Sequence, residues 1–112
     1  MATLKIEGED VVVALTALEQ VGALMGSVRV PRASVTSVRM TDDPYRELRG
    51  LRVGTGLPYV IVLGRMIFSA GQDFVAIYRT RPTAVIDLAP GSQFARLLVS
   101  SPDPAVVAAL AG

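Results

Sequence analysis

The amino-acid sequence predicts an α+β fold that is mainly β: a strongly bent antiparallel sheet or barrel, capped by a C-terminal helix. Three observations lead to it. Short runs with apolar alternation of period two recur along the chain, rich in β-branched residues and separated by Gly, Pro and Asp. Only two segments carry helix-start chemistry, at Thr16 and at Asp103-Pro104. The length of 112 residues, with 51% hydrophobic and 19% charged side chains, suits one domain around one core. No repeat or linker divides the chain, so residues 1–112 are read as a single domain.

Leu4 and Ile6 alternate with Lys5 and Glu7, and Gly8-Glu9-Asp10 supplies a turn, so the chain opens as a hairpin into Val11–Leu15. The run Val11–Val13 also fits a helical stripe with Leu15, Leu18 and Met25. Thr16 and Glu19 decide for a strand ending before residue 16, because Thr at an N-cap and Glu three residues on form a capping box. The expected helix is Ala17–Met25, closed by Gly26 in a left-handed conformation. Val28 and Val30 then face inward with Arg29 outward, and Pro31 ends the ladder. Val35–Thr41 is a second, less regular strand, in which the opposite parity of Val35 and Val38 means that one of them sits on the wet face or a bulge shifts the register.

Thr41-Asp42-Asp43-Pro44 breaks the chain, with Asp43 as N-cap of one short turn, Pro44–Arg49. Gly50–Pro58, holding three glycines and a proline, is expected to be the longest irregular loop. The second half reads as a meander. Tyr59–Leu63 extends towards Phe68; Ala70-Gly71-Gln72 turns; Phe74–Arg79, Ala84–Leu88 and Phe94–Ser100 follow, separated by Arg81-Pro82 and Ala89–Ser92. Four strands joined by short turns are expected to be antiparallel neighbours. Asp103 should cap a last helix beginning at Pro104, with Val106, Val107 and Leu110 on the core. The tail Pro104–Gly112 has no charge, so its outer side is expected to be sticky.

Composition closes much of functional space. With no cysteine there is no disulfide framework, thiolate catalysis or Cys-ligated metal; with no histidine, imidazole base catalysis and His-ligated metals go too. No cofactor and no metal are therefore expected. The ten Arg and one Lys oppose ten acids, and no half of the chain is strongly basic, which argues against nucleic-acid binding. The longest uncharged stretch, Val53–Gly64, is interrupted by Gly54, Gly56 and Pro58 and falls short of the roughly 18–20 residues of a membrane helix. Acids rather than bases precede Val11–Leu15, unlike a secretory signal, so the expected location is cytoplasmic.

The stretch Val28-Arg29-Val30-Pro31-Arg32-Ala33-Ser34-Val35-Thr36-Ser37-Val38-Arg39 resembles the strand–proline–strand signature of bacterial pleckstrin-homology-like (PH-like) domains. Leu98-Val99-Ser100-Ser101-Pro102-Asp103-Pro104 is similar to the last strand and helix start of the same group. Arg49–Pro58, Asp73–Ala76 and Arg81–Leu88 resemble segments of small uncharacterised actinobacterial proteins of about this size. The resemblance implies a PH-like barrel with a C-terminal helix, serving as a binding or assembly module.

Two constellations stand out. Tyr45, Arg46, Arg49 and Arg52 bracket the expected loop, with Arg65 able to converge on them. Guanidinium forks suit carboxylate or phosphate, so region 45–65 is a candidate site for a small anionic ligand. Against this stands pairing of the arginines with Asp42, Asp43 and Glu47 on a solvated surface. The glycine spacing of Gly50, Gly54 and Gly56 lacks the GK[ST] ending of a phosphate loop, and Asp42-Asp43 lacks the alternating oxygens of a calcium loop. The second constellation is apolar: Met66, Ile67 and Phe68 beside a hairpin end, with Val106 and Leu110 of the tail, as a protein interface or as core. The favoured expectation is a non-catalytic module that binds a protein partner or itself, as a homo-oligomer; the alternative is the anion binder.

Overall fold

A computed structural model describes residues 1–111; Gly112, the end of the uncharged tail, lies outside the described residues. The chain is α+β and mainly β, with two sheets and a C-terminal helix. Strands β1 (Thr3–Glu7), β2 (Asp10–Ala14) and β3 (Val28–Pro31) form a three-stranded antiparallel sheet in the order β1-β2-β3. Strands β4 (Val35–Thr41), β5 (Leu51–Leu57), β6 (Ile61–Phe68), β7 (Gly71–Tyr78), β8 (Thr83–Leu88) and β9 (Arg96–Ser100) form the larger sheet, ordered β4-β8-β9-β7-β6-β5. Both sheets are open, so the architecture is two packed sheets and not the closed barrel that the sequence allows.

The small sheet behaves as its sequence dictates. Glu7 pairs with Asp10, leaving Gly8-Glu9 as the two-residue turn, and Gly8 takes the left-handed φ of 60° that this turn needs. Leu4, Val11, Val13, Val28 and Val30 point to one face and meet Leu63, Phe74, Ala76, Ile86, Leu97 and Val99 of the larger sheet. That shared layer is the main core. Helix α1 (Ala17–Ala23) starts at the expected capping box: the Glu19 amide donates to Thr16 Oγ1 at 3.2 Å, and the Thr16 amide to Glu19 Oε1 at 2.9 Å.

The helix ends earlier than Met25, and not on Gly26. Leu24 adopts φ 59°, its amide donating to the Val21 carbonyl and that of Met25 to Gln20, which is a Schellman closure with leucine in the left-handed position. Packing overrides local preference here: Thr55 Oγ1 donates to the Gly22 carbonyl at 2.8 Å and draws the last turn down on β5.

In β4 the register shifts between Val35 and Ser37, the second of the two outcomes that the parity of Val35 and Val38 allows. The following turn is a short 3-10 segment, Pro44–Glu47, and the Asp43 side chain makes no cap bond; only its carbonyl accepts, from the Arg46 amide. The expected loop Gly50–Pro58 is instead largely β5, a regular edge strand in register with β6 from Leu51↔Ile67 to Leu57↔Ile61. Gly50 and Gly54 read as breakers, yet a Cβ on either would meet the β6 backbone, so they serve close pairing. The turn before β7 also moves, since Gly71 and Gln72 already belong to that strand.

The meander fails at one place. β9 runs parallel to β7 and lies between β7 and β8, so the four strands are not successive antiparallel neighbours. Burial explains the preference. Every residue of β9 is buried, and the apolar run Leu97–Val99 loses least in the middle of the sheet, covered on both faces. Helix α2 (Pro104–Ala111) begins as expected, the Ala105 amide donating to Asp103 Oδ1 at 2.9 Å, and Arg32 bonds the Ala109 carbonyl near its end. Val106, Val107 and Leu110 pack against the inter-sheet core. Among the described residues no helix is long and apolar enough to cross a membrane.

Candidate functional site

β4 and β5 are the two opposite edges of the larger sheet, so the chain from residue 42 to residue 50 must cross one of its faces. It crosses the face turned away from the small sheet. There Tyr45 and Leu48 cover a second apolar layer made of Val62, Met66, Val75, Ile77, Val85 and Leu98. Charged residues pin the crossing segment at its centre. Asp73, 1% exposed, accepts from Arg49 through both oxygens at 2.9 and 3.1 Å and from Arg96 at 2.7 and 3.1 Å. Arg96 also donates to the Glu47 carboxylate and carbonyl, and Arg39 forks on Glu47 at 2.6 and 3.1 Å. The hydrogen bond from Arg39, then its charge and that of Arg96, hold the Glu47 carboxyl below its ordinary range against the opposing effect of burial.

This network disperses the arginines that the sequence grouped. Arg46 is exposed beside Asp43, at 3.5 Å, as the solvated-surface reading expects. Arg49 turns inward to Asp73, its guanidinium 4.1 Å from the centroid of the Phe68 ring. Arg65 lies on the other face of the sheet: it pairs with Phe74 of the inter-sheet core and reaches Gln72, whereas Arg52 pairs with Met66 of the outer layer. The five candidate residues thus share no single centre. Tyr45 and Arg52 do stay together, in a cleft of about 480 Å³ with Tyr59 and Gly56. Burial, then the neighbouring Tyr59, raise the Tyr45 phenol above its ordinary pKa, with Arg79 opposing.

The apolar candidates are divided in the same way. Met66 is buried in the outer layer, Phe68 is half-buried under Arg49, and Val106 and Leu110 serve the inter-sheet core. Only Ile67, 39% exposed, presents itself to solvent.

A row of strongly exposed apolar side chains sits elsewhere, on α1 and its C-cap. Leu18 is 82% exposed, Val21 71% and Leu24 66%. The capping box sets this orientation, because Glu19, the one charged residue of the helix, is drawn inward and is 7% exposed. Its carboxylate accepts from the Thr16 amide and the Tyr78 hydroxyl. Burial raises the Glu19 pKa, but these hydrogen bonds outweigh it and the carboxyl stays below its ordinary range; the Tyr78 phenol is pushed up by burial and by the same bond. A mostly apolar cleft of about 480 Å³ lies between α1, β5 and β6, lined by Leu18, Val21, Ile61 and Leu63 around Glu19 and Tyr78.

The i, i+3 spacing of Leu18, Val21 and Leu24 is visible in the sequence, but an apolar helix row reads equally well as core. Only the packing of α1 through Gly22 and Ala23 against β5 and β6 turns it outward. Comparison with protein-family models, with curated proteins and with solved structures finds no match for this chain.

Proposed function

We propose that the protein is a non-catalytic assembly module that pairs with a second copy of itself through α1 and the neighbouring edge of β5. One observation carries this reading: the uncharged row Leu18, Val21 and Leu24 stands free on a helix whose single carboxylate is turned inward. Continuity with a sheet edge adds to it. Among the described residues β5 pairs only with β6, and Leu51 and Leu57, 77% and 54% exposed, lie on the same face of that strand as Thr55, which bonds α1. The one charge of β5, Arg52, faces the other side, so the strand itself carries no charge on this face to protect its open edge, and the charge there is Arg65 of β6 across from Val53. A two-fold axis beside β5 would pair two such edges and bury two helix rows together.

The PH-like reading belongs to the same proposal. Two packed sheets, antiparallel but for the β7–β9 pair, with a terminal helix against β4 and β1 support it, as does the VP break between β3 and β4. On this reading the module acts in the cytoplasm, with a protein surface rather than nucleic acid as its partner. Light scattering at about 10 μM is the test. Wild-type protein is expected at twice the 11.8 kDa chain mass, and Leu18→Glu with Val21→Glu at the chain mass with an unchanged circular dichroism spectrum. A monomeric wild type overturns self-association.

A further inference from the structure

We propose that the cleft between the crossing segment and the β5–β6 turn is a binding site for a small aromatic carboxylate, whose charge meets Arg52 and whose ring lies against Tyr59. The cleft is on the sheet face opposite α1 and shares only Leu57 with the β5 edge of the assembly reading. Its volume of about 480 Å³ is within the range of small-molecule sites, and it is lined by Tyr45, Leu48, Arg52, Gly56, Pro58 and Tyr59.

Four features point to a ligand. Arg52 is exposed, and among the described residues it has no carboxylate within ion-pair distance and makes no hydrogen bond. Glu47, the acid of the crossing segment, is already taken by Arg39 and Arg96, so nothing there neutralises Arg52. Gly56 has an ordinary backbone conformation; what its missing side chain provides is space, because a Cβ there would run into the Arg52 guanidinium. The guanidinium therefore lies against bare backbone with its outer edge free.

Tyr45 lines the same cleft, and its hydroxyl is buried without a hydrogen-bond partner, a group that a ligand oxygen reaching past the ring would satisfy. Tyr59 is held at φ 60°, an unusual conformation for a side chain of its size, by the turn in which the Val60 amide bonds the Leu57 carbonyl. That conformation sets its ring 4.8 Å from the Tyr45 ring at 52°, leaving Tyr59 two-thirds exposed at the mouth.

The charge count selects the anion. Arg52 is the one guanidinium lining the cleft, with Arg79 near Tyr45 but outside the lining; a single lining fork and one phenol match a monoanionic carboxylate, held through two parallel bonds, better than a dianionic phosphate. The tyrosine wall selects a planar ring, through offset stacking.

The experiment is a titration of ¹⁵N-labelled full-length protein with benzoate, followed by amide shifts, with acetate and benzyl alcohol as parallel arms. Benzoate is expected to shift the amides of Tyr45, Arg52, Gly56 and Tyr59 saturably, with a Kd on the order of 1 mM, and each parallel arm to bind about tenfold more weakly. Arg52→Gln and Tyr45→Phe should each weaken benzoate at least about fivefold without lowering the thermal midpoint, since neither removed group has a partner. The proposal is overturned by the absence of a saturable shift, by acetate binding as tightly as benzoate, or by unaltered affinity in Arg52→Gln. Light scattering of the same samples reads the assembly proposal separately.

Discussion

Gly54 and Gly64 stand opposite each other across β5 and β6, at φ 134° and 135°, and each occupies the space where the other strand's backbone would meet a Cβ. A Cβ on Gly54 would land on the Leu63 carbonyl oxygen, and one on Gly64 on the Val53 carbonyl oxygen, with the Ala23 carbonyl of α1 close behind. Both φ values belong to a region that side chains avoid. The pair fixes how closely the edge strand and α1 approach the sheet.

Gly54→Ala and Gly64→Ala should each destabilise the protein by about 2–4 kcal/mol, combining backbone strain with displacement of the paired strand. Urea denaturation midpoints measure this. The double variant should cost less than the sum of the two, because the first substitution already separates the strands. Gly71→Ala, where a Cβ meets nothing within 4 Å, isolates the conformational part alone.

Asp73→Asn should destabilise by about 3–5 kcal/mol, since it leaves Arg96, 8% exposed, without its buried counter-charge. Arg46→Ala, at an exposed ion pair, should stay within about 0.5 kcal/mol of wild type. Hydrogen exchange adds a local readout: in Asp73→Asn, protection should fall first in the segment 42–50, which the cluster holds across the sheet. Equal stability of the two variants would show that the crossing segment is held by Tyr45 and Leu48 instead.

Glu47 sets an acid limit. Its carboxyl titrates below the ordinary value of 4.5 in the folded protein, so its contribution is fully present above that pH and fades as pH falls through the lowered folded value. Denaturation midpoints should therefore drop below about pH 4.5. Glu47→Gln should lower stability at pH 7 and flatten this acid branch, whereas Asp42→Asn, which changes no ion pair of the crossing segment, should leave the profile unaltered. A variant with the wild-type slope would assign the acid branch to other carboxylates, Glu19 first among them.

Local chemistry alone determined a good part of this protein. The Gly8-Glu9 hairpin, the Thr16–Glu19 capping box, the Val35/Val38 bulge and the Asp103 cap depend on residues a few positions apart, and each forms where its sequence signal stands. The mainly β class followed from the same period-two pattern.

Tertiary structure alone decided what lies between distant elements. Gly50–Pro58 reads as a loop because glycine and proline interrupt every local pattern; it is largely a strand because Gly64 gives Gly54 a partner that only close backbone pairing can use. β9 reads as the end of a meander, but its run of buried residues gains most in the centre of the sheet, beside β7 in parallel. The arginines of region 45–65 read as one cluster by proximity in sequence, and sheet alternation sent Arg65 to one face and Arg52 to the other, while buried Asp73 captured Arg49. α1 shows the same division: its apolar row is written in the sequence, and whether that row faces core or solvent was settled by Thr55 and Gly64 on strands more than thirty residues away. A hydrophobic residue states a preference for burial without naming the surface that covers it, and that surface exists only once the sheet is assembled.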